Sequence, residues 1–141
     1  MSTQAKTLVR HLKDGDPHTV GRALPGLEHD SRDEGQGTIV KLISRDLSGS
    51  EDMHLCVCHI SPGQHHIRHY HPHGSEWYLV MSGEPTVFMG DEDIAATPGT
   101  IFYIPPGMVH GLRNDTGEDA ELLVGLSKPD YKELGRVYVE E

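Results

Sequence analysis

Short runs of β-forming residues, each bounded by turn residues, recur along most of this sequence. Apolar side chains that alternate with polar ones are typical of half-buried strands, and intervening glycine, proline and acidic residues are typical of turns. The segments predicted to be strands are residues 38–44, 52–60, 76–81, 85–89, 94–97, 102–104, 111–114 and 121–126, with a loop at 46–51 and an acidic turn at 90–93. Many short strands in close succession predict an all-β sandwich or barrel.

The composition agrees with that fold class and limits the partners. The chain has 141 residues with 16 glycines and 9 prolines, and only 35% of its residues are hydrophobic, which suits one turn-rich domain better than a helical bundle. Lysine and arginine total 12 against 22 aspartates and glutamates, so the formal net charge is −10. This charge opposes nonspecific binding to nucleic acid or anionic membranes, and neither is expected as a partner.

The sequence favours a cytoplasmic protein without a membrane-spanning segment. Residues 1–10 contain no apolar signal-peptide core, and no later apolar run is long enough to cross a bilayer. Cys56 and Cys58 lie two residues apart in a predicted strand, where they share a face but are poorly placed for an unstrained disulfide. Reduced core cysteines are therefore the leading interpretation, and a redox or second metal role stays open.

Residues 63–83 contain the most specific chemical pattern. His69 and His71 are two residues apart, so on a strand their imidazoles share a face and can converge on one ion. Pro72 and Gly74 allow the chain to reverse, and the β-forming residues that follow predict that Glu76 returns beside the histidines on the second strand of a hairpin. This stretch is thus predicted to supply three ligands of a metal site.

Residues 99–114 supply the candidate for a fourth ligand. A short apolar run is followed by a Pro-Pro-Gly turn, and His110 lies where a strand would begin again. Asn114 closes the segment and is interpreted as a turn residue or a residue that supports the ligands.

The two stretches together resemble the two sequence motifs of the cupin superfamily. The first motif, G-x5-H-x-H-x4-E-x6-G, is matched by Gly63, His69, His71, Glu76 and Gly83. The second, G-x5-P-x-G-x2-H-x3-N, is matched by Gly99, Pro105, Gly107, His110 and Asn114. The resemblance implies a small single-domain, metal-binding cupin with a double-stranded β-helix, or jelly-roll barrel, over residues 37–127. An N-terminal arm, residues 1–36, would pack on the barrel or a partner subunit, and residues 128–141 would form a helical or externally wrapped tail.

The resemblance also implies a function that depends on a metal ion. His69, His71, Glu76 and His110 would hold one divalent transition metal per chain, with Mn or Fe favoured and Ni, Co, Cu or Zn as alternatives. Octahedral coordination would leave two positions for a chelating substrate, which favours an enzyme over a structural ion. A dioxygenase, and thus an oxidoreductase, acting on an oxygenated small molecule is the first expectation. A Lewis-acid isomerase, lyase or decarboxylase acting on a keto or hydroxy acid or sugar is an alternative, as is a non-catalytic metal- or sugar-binding module. A homodimer is expected from the resemblance alone.

Two side chains near the ligands are candidate catalytic groups. Tyr78 shares a strand face with Glu76, so its phenol can donate a proton or hold a substrate oxygen, although a core tyrosine is an equal alternative. His73 follows the first two ligands and is either an acid–base group or an exposed loop histidine. The remaining candidates also lie close to the two motifs. His65 and His66 are interpreted like His73, and Phe102 or Tyr103 is expected to line the pocket. Arg68 and Arg113 could meet an anionic substrate.

Overall fold

The computed structural model describes residues 8–9, 17–19 and 37–139. Most of the predicted N-terminal arm lies outside the described residues. The strands are β1 (Pro17–Thr19), β2 (Thr38–Ile43), β3 (His54–Ile60), β4 (His65–Tyr70), β5 (Glu76–Ser82), β6 (Thr86–Met89), β7 (Glu92–Ala95), β8 (Ile101–Ile104), β9 (His110–Arg113), β10 (Ala120–Leu126) and β11 (Val137–Tyr138). The one-turn helices α1 (Arg45–Ser48) and α2 (Tyr131–Leu134) follow β2 and β10.

The strands form two antiparallel sheets whose members alternate along the chain. The first sheet has the order β1-β2-β3-β10-β5-β8, and the second has the order β11-β4-β9-β6-β7. Because β3 and β5 belong to the first sheet while β4 and β6 belong to the second, the chain winds back and forth between facing sheets. This is a double-stranded β-helix, and it confirms the predicted all-β jelly-roll class.

Each predicted strand is present, and each of its ends lies within two residues of the predicted position. The predicted loop at 46–51 is wrong in part, because α1 begins at Arg45. Ser44 caps this helix through its Oγ, which accepts a hydrogen bond from the Leu47 backbone N–H at 3.1 Å, and Gly49 ends it with a φ of 70°. The acidic turn is also shorter than predicted, since β7 begins at Glu92. The tail contains both α2 and β11, and β11 pairs with β4.

The predicted hairpin that joins the first two ligands to Glu76 is wrong. β4 pairs with β9 and β11, whereas β5 pairs with β10 and β8 in the opposite sheet. The backbone after β4 bonds elsewhere: the Gly107 N–H donates to the His71 carbonyl at 2.9 Å, and the His73 N–H donates to the Leu134 carbonyl at 3.1 Å. The connection therefore crosses between the sheets, and Glu76 approaches the histidines from across the barrel interior.

The core fills the space between the two sheets. Alternate residues of each strand point inward, as in β5, where Tyr78 and Val80 are buried and Trp77 and Leu79 are partly exposed. On β8 the same alternation makes Phe102 a buried core residue and leaves Tyr103 63% exposed, and neither of these two candidates lines the cavity beside the predicted ligands. Cys56 and Cys58 are buried free thiols, as predicted. Burial raises the pKa of Cys56 to about 12 and that of Cys58 further, so neither is a thiolate at neutral pH.

No helix in the described part of the chain has both the length and the apolar character needed to cross a membrane.

Candidate metal centre

The four predicted ligands converge in the barrel interior. His69 lies in β4 directly opposite His110, the first residue of β9, and His71 follows the end of β4. Glu76 is the first residue of β5 and comes from the facing sheet. One nitrogen or oxygen atom from each side chain lies within 4.8 Å of the others, and all four residues are buried. This is the spacing that a single ion bound by all four would require.

Backbone carbonyl groups fix the orientation of all three imidazoles. The Nδ1 atom of His69 lies 2.6 Å from the Ile67 carbonyl, that of His71 2.6 Å from the Gly135 carbonyl, and that of His110 2.9 Å from the Met108 carbonyl. A carbonyl oxygen only accepts hydrogen bonds, so each Nδ1 atom must carry the proton. A ring whose one proton is on Nδ1 presents the lone pair of its Nε2 atom, which is the arrangement found in histidines that bind metals.

These lone pairs face the carboxylate of Glu76. The Glu76 Oε1 atom lies 2.8 Å from His110 Nε2 and 3.2 Å from His71 Nε2. The second contact lacks the angles of a hydrogen bond, so the buried His71 Nε2 atom has no hydrogen-bond partner among the described residues. Acceptor atoms brought this close require a cation between them, either a proton or a metal ion. The donor set of three imidazoles and one carboxylate suits a divalent transition metal.

The electrostatics of the pocket also favour a bound cation. Burial alone would raise the pKa of Glu76, but His71 and His110 outweigh it and hold that pKa well below its ordinary value. The pKa of His69 is lowered well below its ordinary value by burial and by His110, Arg136 and His71. Glu76 is therefore ionised and His69 neutral at neutral pH, the states in which both bind metal.

Tyr78 lies at this centre as predicted. It lines a cavity of about 30 Å³ together with His69, Glu76, Tyr131 and Arg136. Burial and the neighbouring Glu76 raise the pKa of Tyr78 well above its ordinary value, so its phenol stays protonated. The hydroxyl can therefore donate a proton or a hydrogen bond inside the cavity, but it cannot act as a base.

The other predicted histidines occupy different positions. His73 is exposed in the connection between β4 and β5 and is not among the residues that line the cavity. His65 and His66 are half-buried strand residues of β4, so the interpretation of these two as exposed loop histidines is wrong. The ring of His66 does line the cavity, with its Nε2 atom 3.9 Å from Cys58 Sγ.

The two arginines beside the motifs are not in the cavity. The guanidinium groups of Arg68 and Arg113 lie 4.4 and 5.0 Å from the centre of the Phe88 ring, and both contact Asp93. Asn114 is a buried turn residue whose Nδ2 donates to the carbonyls of Ile60 and Glu118. Its role is therefore to hold the loop after β9.

Two cavity residues that were not predicted from the sequence come from the tail. Tyr131 is buried at the start of α2, and the Arg136 guanidinium lies 5.2 Å from the centre of its ring. Arg136 Nη1 donates to Tyr138 Oη at 3.0 Å, whereas its buried Nε has no hydrogen-bond partner among the described residues. The Asp130 cap of α2 was a recognisable helix signal, but no sequence pattern indicates that an arginine after it turns inward.

Comparison with known proteins agrees with this architecture. The family model described as Cupin domain matches residues 56–125, which include all four candidate ligands. A conserved protein with a double-stranded β-helix domain from Klebsiella pneumoniae is 26% identical, with a TM-score of 0.64 over 79% of this chain and 90% of that one.

Two curated enzymes are also similar in sequence. Oxalate decarboxylase from Arthroderma benhamiae is 30% identical over 72% of this chain, and quercetin 2,3-dioxygenase from Bacillus subtilis is 29% identical over 54%. The matched regions span 25% and 23% of those longer proteins. With both motifs, the two-sheet barrel and the matching family model in agreement, the chain belongs to the cupin superfamily.

Proposed function

We propose that this protein is a metal-dependent enzyme that acts on a small carboxylic acid. The observation that supports this most strongly is the set of three oriented imidazoles and the Glu76 carboxylate in one buried cluster. His69, His71, Glu76 and His110 would hold one divalent ion, with Mn or Fe the first candidates. Such an ion polarises substrate oxygen atoms as a Lewis acid, and Mn or Fe also supports redox chemistry.

Arg136 favours an acid as the substrate. Its guanidinium is a permanent cation in the wall of the same cavity, and its buried Nε keeps an unused donor. A substrate carboxylate would satisfy this donor and balance the charge.

Two reaction classes follow from this proposal. A dioxygenase, the class expected from the family, is supported by the similarity to quercetin 2,3-dioxygenase. Decarboxylation of a keto or hydroxy acid is the second class, and both Arg136 and the similarity to oxalate decarboxylase favour it. In either class Arg136 would orient the carboxylate, and the protonated Tyr78 Oη would donate a hydrogen bond or a proton to the reacting molecule. His73 is left out because its side chain is exposed.

The test is turnover by protein loaded with Mn or Fe, with oxygen uptake and CO₂ release followed in parallel. The substrates are oxalate, keto acids and hydroxy acids, with diketones and catechols as neutral or aromatic alternatives. Oxygen uptake indicates the dioxygenase, and CO₂ release without oxygen uptake indicates the decarboxylase. In either case Arg136→Met should raise KM for the acid and Tyr78→Phe should lower kcat. Stoichiometric metal without turnover of any acid would contradict the proposal and leave the non-catalytic binding module.

The family also suggests a homodimer, which light scattering on the purified protein would test.

A further inference from the structure

A second cavity lies beside the metal centre and has a different lining. Its volume is about 200 Å³, and it is lined by Lys41, Ser44, Arg45, Asp46, His54, Asp130, Tyr131 and Lys132. We call it the His54 cavity. None of the four candidate metal ligands lines it, but Tyr131 lines both cavities. The Tyr131 ring lies 5.1 Å from the His54 ring and 6.4 Å from the His71 ring, so it forms a shared wall.

His54 is the feature that indicates a ligand. It is the first residue of β3, it is 1% exposed, and both of its ring nitrogens are buried without a hydrogen-bond partner among the described residues. Leaving two buried polar atoms unsatisfied costs about 1–3 kcal/mol each. Buried polar groups are normally paired with protein, ordered water, an ion or a bound molecule, so these two nitrogens indicate a place for such a partner.

The charge state of His54 defines what that molecule must offer. Burial and the nearby Lys41 lower the pKa of His54 to about 4, so the ring is neutral at neutral pH. A neutral imidazole has one N–H donor and one acceptor nitrogen. A hydroxyl can pair with either nitrogen, because it can accept from the N–H or donate to the acceptor nitrogen, and one hydroxyl satisfies one of the two.

The charges around His54 favour an anion. The two carboxylates of the lining are already engaged: Asp46 accepts from Ser44 Oγ at 2.5 Å, and Asp130 accepts from Arg45 Nε at 3.0 Å and from the Glu133 backbone N–H at 2.8 Å. Among the described residues, the only ion pair of the Lys41 ammonium is a 3.7 Å contact with Asp46. Lys132 has no ion pair with any described residue. Two ammonium groups thus retain donors for an oxyanion.

We propose that the His54 cavity binds a small hydroxy acid, whose carboxylate contacts Lys41 and Lys132 and whose hydroxyl contacts His54. The volume suits such a molecule, because an engineered cavity of about 150 Å³ accommodates benzene. This proposal does not rest on the chemistry proposed for the metal centre, since it concerns other residues and requires no bound metal.

The experiment compares L-lactate with propionate, which lacks only the hydroxyl group. Binding is measured by calorimetry in carboxylate-free buffer, and the His54 ring is followed by NMR. We expect lactate to bind about tenfold more tightly than propionate, because one buried hydrogen-bonding pair is then satisfied. We also expect lactate to shift the His54 ring resonances.

Variants assign the binding to this cavity. His54→Leu should remove the preference for lactate, and Lys41→Met, which keeps His54, should weaken both acids by about tenfold or more. His59→Leu is the matched control, because His59 lies on the same strand but is half-buried and contacts Asp119 and Glu121. Lactate should bind His110→Gln as it binds the parent protein. Absence of binding, or binding that is lost in His110→Gln but kept in His54→Leu and Lys41→Met, would overturn the proposal.

Discussion

Replacing Gly135 with alanine should impair metal binding from outside both motifs. The Gly135 carbonyl accepts the 2.6 Å hydrogen bond from His71 Nδ1 and so holds a candidate ligand that lies 64 residues earlier in the sequence. Gly135 has a φ of 75° and a ψ of 160°, a region that is essentially restricted to glycine. An added Cβ atom would lie 3.0 Å from Pro72 Cγ and 3.2 Å from His73 Cδ2. The backbone must therefore shift, and the carbonyl must shift with it.

Two magnitudes follow from this geometry. The backbone strain should lower the free energy of unfolding by about 1–3 kcal/mol, with the crowding against Pro72 favouring the upper end. Loss of the hydrogen bond that orients a ligand histidine should weaken metal binding about 10–100-fold. The first effect is measured by urea unfolding in the presence of a chelator. The second is measured by titration of Mn²⁺ against a competing chelator.

A matched variant separates strain from ligand orientation. Gly99 also has a positive φ, of 94°, but a Cβ atom there would meet nothing within 4 Å, and Gly99 does not contact a candidate ligand through its carbonyl. Gly99→Ala should therefore lose stability while it keeps the Mn²⁺ affinity of the parent protein. If Gly135→Ala binds Mn²⁺ as tightly as Gly99→Ala does, the assignment of the Gly135 carbonyl as a support of the metal site is wrong.

Three further predictions concern the ligands, a buried histidine and the sheet. His110→Gln should weaken metal binding by more than about 100-fold, which is the upper limit for losing a group that only supports a ligand. The circular dichroism spectrum of the β-sheet should be unchanged, and undiminished metal affinity would exclude His110 as a ligand. The pKa of His54 is lowered from 6.5 in the unfolded chain to about 4 in the folded protein, so between these pH values the unfolded chain binds one more proton. The free energy of unfolding should therefore fall by up to about 3 kcal/mol as pH drops through this range. Urea unfolding at several pH values should show that His54→Leu removes this pH-dependent fall in stability. If the free energy of unfolding depends on pH equally in the variant and the parent protein, the prediction is refuted. Gly125→Ala should lower the free energy of unfolding in urea by about 1–3 kcal/mol, because its Cβ would clash with the Trp77 indole on the paired strand. Equal stability of this variant and Gly117→Ala, which has open space around its Cβ, would contradict the packing.

The features that could be predicted from the sequence are those encoded over a few neighbouring residues. The alternation of side chains along a strand placed Tyr78 beside Glu76 and paired His69 with His71 on one side of the chain. Glycine and proline marked the strand ends closely. The position of Glu76 beside the histidines was also predicted correctly, although the hairpin inferred for it does not exist, because the family motif specifies the residue and not its strand partner.

The features that were missed depend on contacts between distant parts of the chain. Arg136 lines the metal cavity just after α2, and ion pairs from Arg45 of α1 to Asp130 and Glu133 connect that segment to a distant part of the chain. The burial of His54 likewise depends on Tyr131, which is 77 positions further along the sequence. A charged residue in a short tail is normally exposed to solvent. Local sequence patterns therefore predict an exposed Arg136, whereas the tertiary contacts place it in the cavity wall.

The most direct test of the account is the metal content of protein purified without an affinity tag or added metal, determined by elemental analysis together with protein concentration. Three Nε2 lone pairs and the Glu76 carboxylate predict about one Mn or Fe ion per chain in the parent protein. The same atoms predict a large loss of metal in His71→Gln, with His59→Gln, a histidine on the half-buried face of β3, unchanged. A parent protein that stays free of metal even after incubation with Mn²⁺ or Fe²⁺, or a His71→Gln variant that retains its full metal content, would contradict the central claim.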